Sequence, residues 1–193
     1  MPRIYCAGPL FNDPERHEMQ QIAEALERAG HETFLPHRDG LEFSQLLPAL
    51  LDIGVAPDRA DGVLQRAIFS LDVYQLLVGC QGVVVNLNGR VPDEGTVVEA
   101  SLAWHAAKPL VLYKRDARTL LDGSDNPMLS GLGGFEIVRA IDQLPQALEL
   151  ALHADHADRV NRVLQAGAAI AELRKRASDV KQLAALLNPV VAR

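Results

Sequence analysis

Three acidic residues, Asp72, Asp93 and Glu99, supply the groups that cleavage of a glycosidic bond requires. That reaction needs one carboxylate that attacks the sugar and one acid that protonates the leaving group. Asp93 and Glu99 lie in the segment 86–99, which runs from a predicted strand into a predicted helix. Their types and spacing make glycosyl chemistry a working hypothesis for this chain.

Glu99 has a structural interpretation as well as a catalytic one. Thr96 and Glu99 have the spacing of a capping box, in which Glu99 would only help to cap its own helix. A carboxylate in the first turn of a helix also feels the positive end of the helix dipole, which favours its ionised form. Because a carboxylate nucleophile must be ionised to attack a sugar carbon, the position also suits catalysis, and both interpretations stay open.

Asp72 also has two interpretations, because it lies between Leu71 and Val73 in a predicted helix. It is either a solvated residue on the outer face of that helix or a partly desolvated acid. In the second case its pKa would be raised, which suits proton transfer. The sequence around Asp72 leaves both possibilities open.

The loop at residues 7–12 contains Gly8, Pro9 and Phe11 but no phosphate-binding motif. It has neither the three spaced glycines of a dinucleotide fingerprint nor the glycine-lysine pattern of a P-loop. Its simplest interpretation is a tight turn from a strand into a helix that Asn12 or Asp13 caps.

The elements that must position these residues alternate between strands and helices. Apolar runs predict strands at residues 4–7, 31–35, 82–87, 109–113 and 135–138. Helical spacing predicts helices at residues 13–30, 58–77 and 96–107, and mostly helix from 142 to about 187. The predicted fold class is α/β, with a doubly wound, mostly parallel five-stranded sheet of flavodoxin- or Rossmann-like type and a helical C-terminal extension.

Composition and charge argue against several classes of function. The 193-residue chain has a net charge of −6 and no basic stripe, so we expect no binding to a nucleic acid polymer. Cys6 and Cys80 lie in separate apolar runs, and no histidines pair at a metal-ligand spacing, so we expect no metal site. Neither a signal peptide nor an apolar run of membrane-spanning length is present, which predicts a cytoplasmic protein with no membrane partner.

Several segments together resemble the nucleoside 2-deoxyribosyltransferase family, in the order that the family has them. They are residues 4–11, 36–40, 93–99, 108–109 and 125–128. The resemblance implies an enzyme that transfers a 2-deoxyribosyl group between nucleobases by a ping-pong mechanism, in nucleotide salvage. It implies a deoxyribosyltransferase-like catalytic domain at residues 1–141. Residues 142–193 then form the helical extension, packed on the same domain or on a neighbouring subunit.

The resemblance also implies roles for individual residues. Glu99 would attack the anomeric carbon and form a glycosyl ester, and Tyr5 would orient its carboxylate. Asp72 would protonate or steer the leaving base, and Asp93 would hold the sugar or assist at the base. Asn126 of another protomer would bind the sugar 5′-hydroxyl. The other residues expected to bind substrate are Gly8, Pro9, Phe11, Arg38, Asp39, Asn88, Gly95 and Met128.

The same resemblance implies deoxyribonucleoside and free nucleobase substrates, no cofactor, and a homo-oligomer with shared active sites. Two alternatives stay open. One is a related hydrolase that cleaves 2′-deoxynucleoside 5′-monophosphates with water. The other is a non-catalytic nucleotide-binding module in which Glu99 is only a helix cap.

Overall fold

The computed structural model describes residues 1–89, 91–116 and 124–191, and the last four of these by their backbone alone. Its internal contacts divide the chain into two compact units, Met1–Ala154 and Asp155–Arg193. The loop predicted between residues 114 and 134 lies partly outside the described residues. The domain division predicted at residue 142, and the packing of the extension, stay predictions. No helix among the described residues is long and apolar enough to span a membrane.

The first unit is built on a parallel sheet of four strands in the described part of the chain. The strands are β1 (Arg3–Ala7), β2 (Glu32–Phe34), β3 (Gly82–Asn86) and β4 (Leu110–Tyr113). Their order is β2-β1-β3-β4, and every neighbouring pair is parallel. The prediction of an α/β fold with a parallel sheet is therefore confirmed.

The prediction of a fifth strand near residues 135–138 is wrong. Only Val138 pairs with the sheet, through an isolated bridge to Tyr113. Gly134 and Phe135 have φ angles of 70° and 66°, in the left-handed region, which an extended strand cannot contain. The backbone therefore turns where the apolar run predicted a strand, and the described sheet ends at β4.

Helices cover both faces of the sheet. In the first unit they are α1 (Asp13–Arg28), α2 (Pro36–Asp39), α3 (Phe43–Asp52), α4 (Pro57–Tyr74), α5 (Glu94–His105), α6 (Pro127–Ser130) and α7 (Leu144–Leu152). A π-helical turn, Gln75–Gly79, continues α4, and short 3₁₀ turns lie at Gly131–Gly133 and Ile141–Gln143. The second unit consists of α8 (His156–Arg176) and α9 (Val180–Val191), which contact each other.

Alternate residues of β1 enter different cores because successive side chains of a strand point to opposite faces. Ile4 and Cys6 join one core with side chains of α1 and α7, including the fully buried Leu144 and Leu148. Tyr5 joins the other core with side chains of α5 and the π-helical turn. This alternation directs the Tyr5 side chain toward the helix that carries Glu99.

Candidate active site

The candidate site lies at the point where the order of the strands reverses. β1 is followed along the chain by β2 on one side, and β3 is followed by β4 on the other side. In doubly wound sheets the loops after two such strands diverge, and ligands bind in the crevice beyond the carboxyl ends of the strands. Residues from β1, α4 and α5 come together there.

Tyr5 and Glu99 form the central contact of the site. The Tyr5 hydroxyl donates a hydrogen bond to Glu99 Oε1 across 2.5 Å. The Tyr5 ring is fully buried and stacks on Phe34, with 5.5 Å between the ring centroids. Burial and the nearby Glu99 charge raise the pKa of Tyr5 far above its usual range, so its hydroxyl stays a donor at neutral pH. The Glu99 carboxylate is therefore held by a rigid partner.

Two carboxyl groups of the site have raised pKa values. Burial raises the pKa of Glu99 to about 7, the Tyr5 hydrogen bond opposes this effect, and the charges of Asp72 and Asp93 add to it. Burial also raises the pKa of Asp72 to about 6. Asp72 is half-buried, which favours the partly desolvated acid of its two interpretations. Near neutral pH the pair can hold one proton, and because Glu99 has the higher pKa, the form with ionised Glu99 and protonated Asp72 is the less populated singly protonated form.

Asp72 and Glu99 line one cavity of about 650 Å³ between α4 and α5. Gly95 also lines it, and a Cβ atom at Gly95 would lie 3.2 Å from Asp93 Oδ2. The remaining walls are mostly apolar, and they are formed by Gln65, Ile68, Phe69, Val73, Leu76, Glu94, Val98 and Leu102. Apolar walls with a few convergent polar groups are typical of a small-molecule site.

Asp93 caps the helix that carries Glu99. Asp93 Oδ2 accepts hydrogen bonds from the backbone N of Thr96 at 2.7 Å and from its Oγ1 at 2.8 Å. The capping box predicted between Thr96 and Glu99 is wrong, because α5 begins at Glu94 and Glu99 is its sixth residue. The dipole argument for ionised Glu99 is also wrong, since that effect fades beyond the first turn and burial raises the pKa instead.

The loop after β1 places its predicted residues in different surroundings. Gly8 packs so closely that an added Cβ would lie 2.2 Å from Met19 Sδ. Pro9 lines a second cavity, of about 410 Å³, together with Asn88. Phe11 is 80% exposed. Asn12, one of the two residues predicted to cap α1, accepts a hydrogen bond from the backbone N of Glu15.

The second cavity contains a residue that the sequence analysis missed, Glu18. Asn88 Nδ2 donates to both carboxylate oxygens of Glu18 at 2.9 Å, and Asn86 Nδ2 donates to it at 3.1 Å. Tyr113 and Arg115 donate further hydrogen bonds to it at 3.3 Å and 3.2 Å. Glu18 thus joins α1 to the ends of β3 and β4. The only signal in the sequence is that Glu18 directly precedes the core residue Met19.

Arg38 and Asp39 are not brought to the cavity around Glu99. Arg38 donates to Glu27 at 3.0 Å, to Thr33 Oγ1 at 2.8 Å and to Asp39 at 2.8 Å. Asp39 Oδ2 also accepts from the backbone N of Leu35 at 2.8 Å. These contacts fix the end of β2, and a contact of either side chain with the base stays a prediction.

Asn126 and Met128 also lie outside the residues that line the cavity of their own chain. Asn126 Oδ1 accepts a hydrogen bond from the backbone N of Met128 and caps the short helix α6. Met128 is 80% exposed. Among the described residues, no group of His, Cys, Asp and Glu side chains could hold a metal ion.

Comparisons with known proteins agree with this geometry at the level of family and fold. The family model described as nucleoside 2-deoxyribosyltransferase matches residues 4–164. A conserved protein from Enterococcus faecalis V583 is 18% identical, with a TM-score of 0.58, over 78% of this chain and 98% of that one. A 2-deoxyribosyltransferase from the psychrotolerant bacterium Bacillus psychrosaccharolyticus is 17% identical, with a TM-score of 0.53, over 81% of this chain and 95% of that one. No curated protein matches the chain. At such identities the two structures show a shared fold.

Proposed function

Because the chain belongs to the nucleoside 2-deoxyribosyltransferase family, we propose that it transfers a 2-deoxyribosyl group between nucleobases through a covalent link to Glu99. The observation that carries the proposal is the hydrogen bond from the buried Tyr5 to Glu99, whose carboxylate lines the same cavity as Asp72. Glycosyl transfer with retention needs a nucleophile and a separate proton donor, and these residues supply both.

In the first half-reaction, ionised Glu99 attacks the anomeric carbon of a deoxyribonucleoside. The bond from that carbon to the base nitrogen breaks, its electron pair leaves with the base, and Asp72 donates a proton to that base. The raised pKa of Asp72 supports this role, because an acid with a pKa of about 6 still holds its proton in part near neutral pH.

In the second half-reaction, another free base attacks the glycosyl ester and releases Glu99. Asp72 accepts a proton from that base, as microscopic reversibility requires. The apolar walls of the cavity suit the flat faces of either base, since they replace water around an apolar surface. Asp93 supports both steps through its cap on α5, which sets the start of the helix that carries Glu99.

The sugar is expected to be bound as a neutral 5′-hydroxyl compound. Acidic groups dominate the described site, with Asp72, Asp93, Glu94 and Glu99 at or beside the cavity, so a 5′-phosphate would be repelled. Asn126 is proposed to bind the 5′-hydroxyl in the site of a second protomer. Its exposed position, beside the exposed Met128, supports such a shared site.

The test is incubation of the protein with a deoxyribonucleoside and a different free base, followed by chromatography and intact-mass spectrometry. We expect a new nucleoside and, with the first substrate alone, an adduct of one deoxyribosyl group on Glu99. E99Q should show neither product, whereas the exposed control E32Q should show both. Free deoxyribose without a new nucleoside would indicate a hydrolase instead, and no product at all would indicate a binding module.

A further inference from the structure

A buried ion pair joins Lys114, at the end of β4, to Asp125. The side chains of the two residues are 3% and 7% exposed, and Lys114 Nζ contacts Asp125 Oδ1 directly. Two charges taken out of water lose much of their hydration, and the attraction between them repays this only when the geometry is good. A pair of this kind is weak evidence for added stability and better evidence for a fixed position of the segments that it joins.

The backbone of Lys114 is anchored on the sheet. Its N–H donates to the carbonyl of Val138 at 2.9 Å, and the N–H of Val138 donates to Leu112 in β4 at 2.8 Å. Arg139 Nη1 donates to the Lys114 carbonyl at 3.0 Å. The Lys114 ammonium group therefore projects from a backbone that is held on both sides.

Because Asp125 directly precedes Asn126 in the chain, the ion pair also restricts the position of Asn126. The Asn126 carbonyl accepts from the backbone N of Leu129 at 2.8 Å and of Ser130 at 3.1 Å. Its side chain accepts from the backbone N of Met128 at 2.9 Å. The ion pair with Lys114 at the end of β4 thus fixes the position at which α6 begins.

We propose that Lys114 is a positioning residue, which holds Asn126 where it can bind the sugar 5′-hydroxyl. The inference rests on the proposed function, and it adds a determinant of substrate specificity that does not touch the substrate. Lys114 acts through Asp125 and the cap of α6, because its ammonium group is buried and paired with the Asp125 carboxylate.

The experiment compares K114M with the double variant K114M/D125L. The single substitution leaves an unpaired carboxylate in the interior and is expected to destabilise the fold. The double substitution removes both charges and keeps apolar side chains of similar volume, so the melting temperature should recover. K175M is the matched control, since Lys175 pairs with Glu172 on an exposed helix surface.

Two readouts separate positioning from stability. The first is hydrogen exchange at the amides of Met128, Leu129 and Ser130, which should be about tenfold faster in the double variant than in the wild type. The second is the ratio of kcat/KM for a 2′-deoxynucleoside and its 2′,5′-dideoxy analogue. We expect about a tenfold preference for the 5′-hydroxyl in the wild type and almost none in the double variant, because a lost hydrogen bond is worth about this factor.

Unchanged exchange and an unchanged ratio in a stably folded double variant would overturn the inference. Faster exchange with an unchanged ratio would also overturn it, because the position of Asn126 would then not affect the sugar. A wild-type protein that forms no new nucleoside would refute the proposed function, and with it the role in sugar binding. The exchange measurement would still decide whether Lys114 holds Asn126.

Discussion

The hydroxyl oxygen of Tyr5 on β1 and Oε1 of Glu99 on α5 lie 2.5 Å apart, although 94 residues separate them in the chain. The buried Tyr5 ring cannot move without disturbing Phe34, so the strand sets the orientation of the carboxylate on the helix. This contact also sets part of the charge of Glu99, because its hydrogen bond favours the ionised form.

Tyr5→Phe should reduce kcat/KM for transfer by about 10- to 100-fold, since a hydrogen bond to a charged group is worth about 1.5–3 kcal/mol. The pKa of Glu99 should rise when the hydrogen bond is lost, so the acidic limb of the pH–rate profile should move to higher pH. Tyr74→Phe, at an exposed tyrosine of α4, is the control and should change neither quantity. An unshifted acidic limb in Tyr5→Phe would contradict the proposed link.

The pH dependence of kcat/KM should be a narrow bell with its maximum between about pH 6 and 7. The productive form has ionised Glu99 and protonated Asp72, and because their pKa values are about 7 and about 6, it is the minor one of the two singly protonated forms. Because the two groups interact, the limbs report the pair and not the separate residues. Asp72→Asn should lower the rate, abolish the alkaline limb and leave a single acidic limb that reports Glu99 alone. A bell that survives in Asp72→Asn would exclude Asp72 as the acid.

Glu99→Gln should stabilise the fold at pH 8 and have little effect at pH 4. The folded-state pKa of Glu99, about 7, lies above its usual value of 4.5, so ionisation costs stability as pH rises between these values. The gain from the neutral amide should be on the order of 3 kcal/mol at pH 8. Thermal melts at both pH values, with Glu32→Gln as the exposed control, measure this difference. Equal melting temperatures of Glu99→Gln and the wild type at pH 8 would contradict it.

Mixing an inactive variant with a weakened one should raise activity above that of either if sites are shared between protomers. Glu99→Gln keeps Asn126, and Asn126→Ala keeps Glu99, so some sites in a mixed homo-oligomer regain both groups. Random exchange of subunits should restore about a quarter of the sites. Transfer assays before and after co-refolding of the two variants give the fraction. If native mass spectrometry shows that mixed oligomers have formed and activity still does not recover, Glu99 and Asn126 act in the site of the same chain.

The enzyme should prefer 2′-deoxy substrates to their ribo counterparts by a factor on the order of ten or more. The transition state resembles an oxocarbenium ion, which an electron-withdrawing 2′-hydroxyl destabilises. A hydroxyl at that position would also crowd or hydrogen-bond the Glu99 carboxylate. The measurement is kcat/KM for deoxyadenosine and adenosine, and for a matching pyrimidine pair, with one acceptor base. Equal constants in both pairs would refute this account of the sugar site.

The fold was predictable where the signal is local and repeated. The buried strands β1, β3 and β4 are continuous apolar runs, and such runs are typical of parallel sheets with both faces covered. The strand predicted from the apolar run at Phe135 does not form, because the left-handed backbone there, and not the apolar side chains, decides the conformation. A single sequence does not display φ angles, and Gly134 alone does not reveal where the turn lies.

The site was less predictable than the fold, because its geometry depends on contacts between distant residues. Glu99 was a candidate from its type and spacing as well as from the family resemblance, but Thr96 was wrongly expected to cap its helix in place of Asp93. Glu18 and Lys114 showed no pattern, since each has partners that only the folded sheet brings near. Burial of a charged side chain is a tertiary property, and local spacing does not encode it.

The parallel pairing of β1 with β3 places Ile4 opposite Gly82. At roughly 5–20 residues per second, a ribosome completes β3 about 4–16 s after it has completed β1. During this interval β1 lacks one of its two neighbours, and an unpaired apolar strand is a template for aggregation and a target for chaperones. α5 is synthesised later still, so the carboxylate that is proposed to attack the sugar cannot reach its tyrosine partner until after β3 has been made.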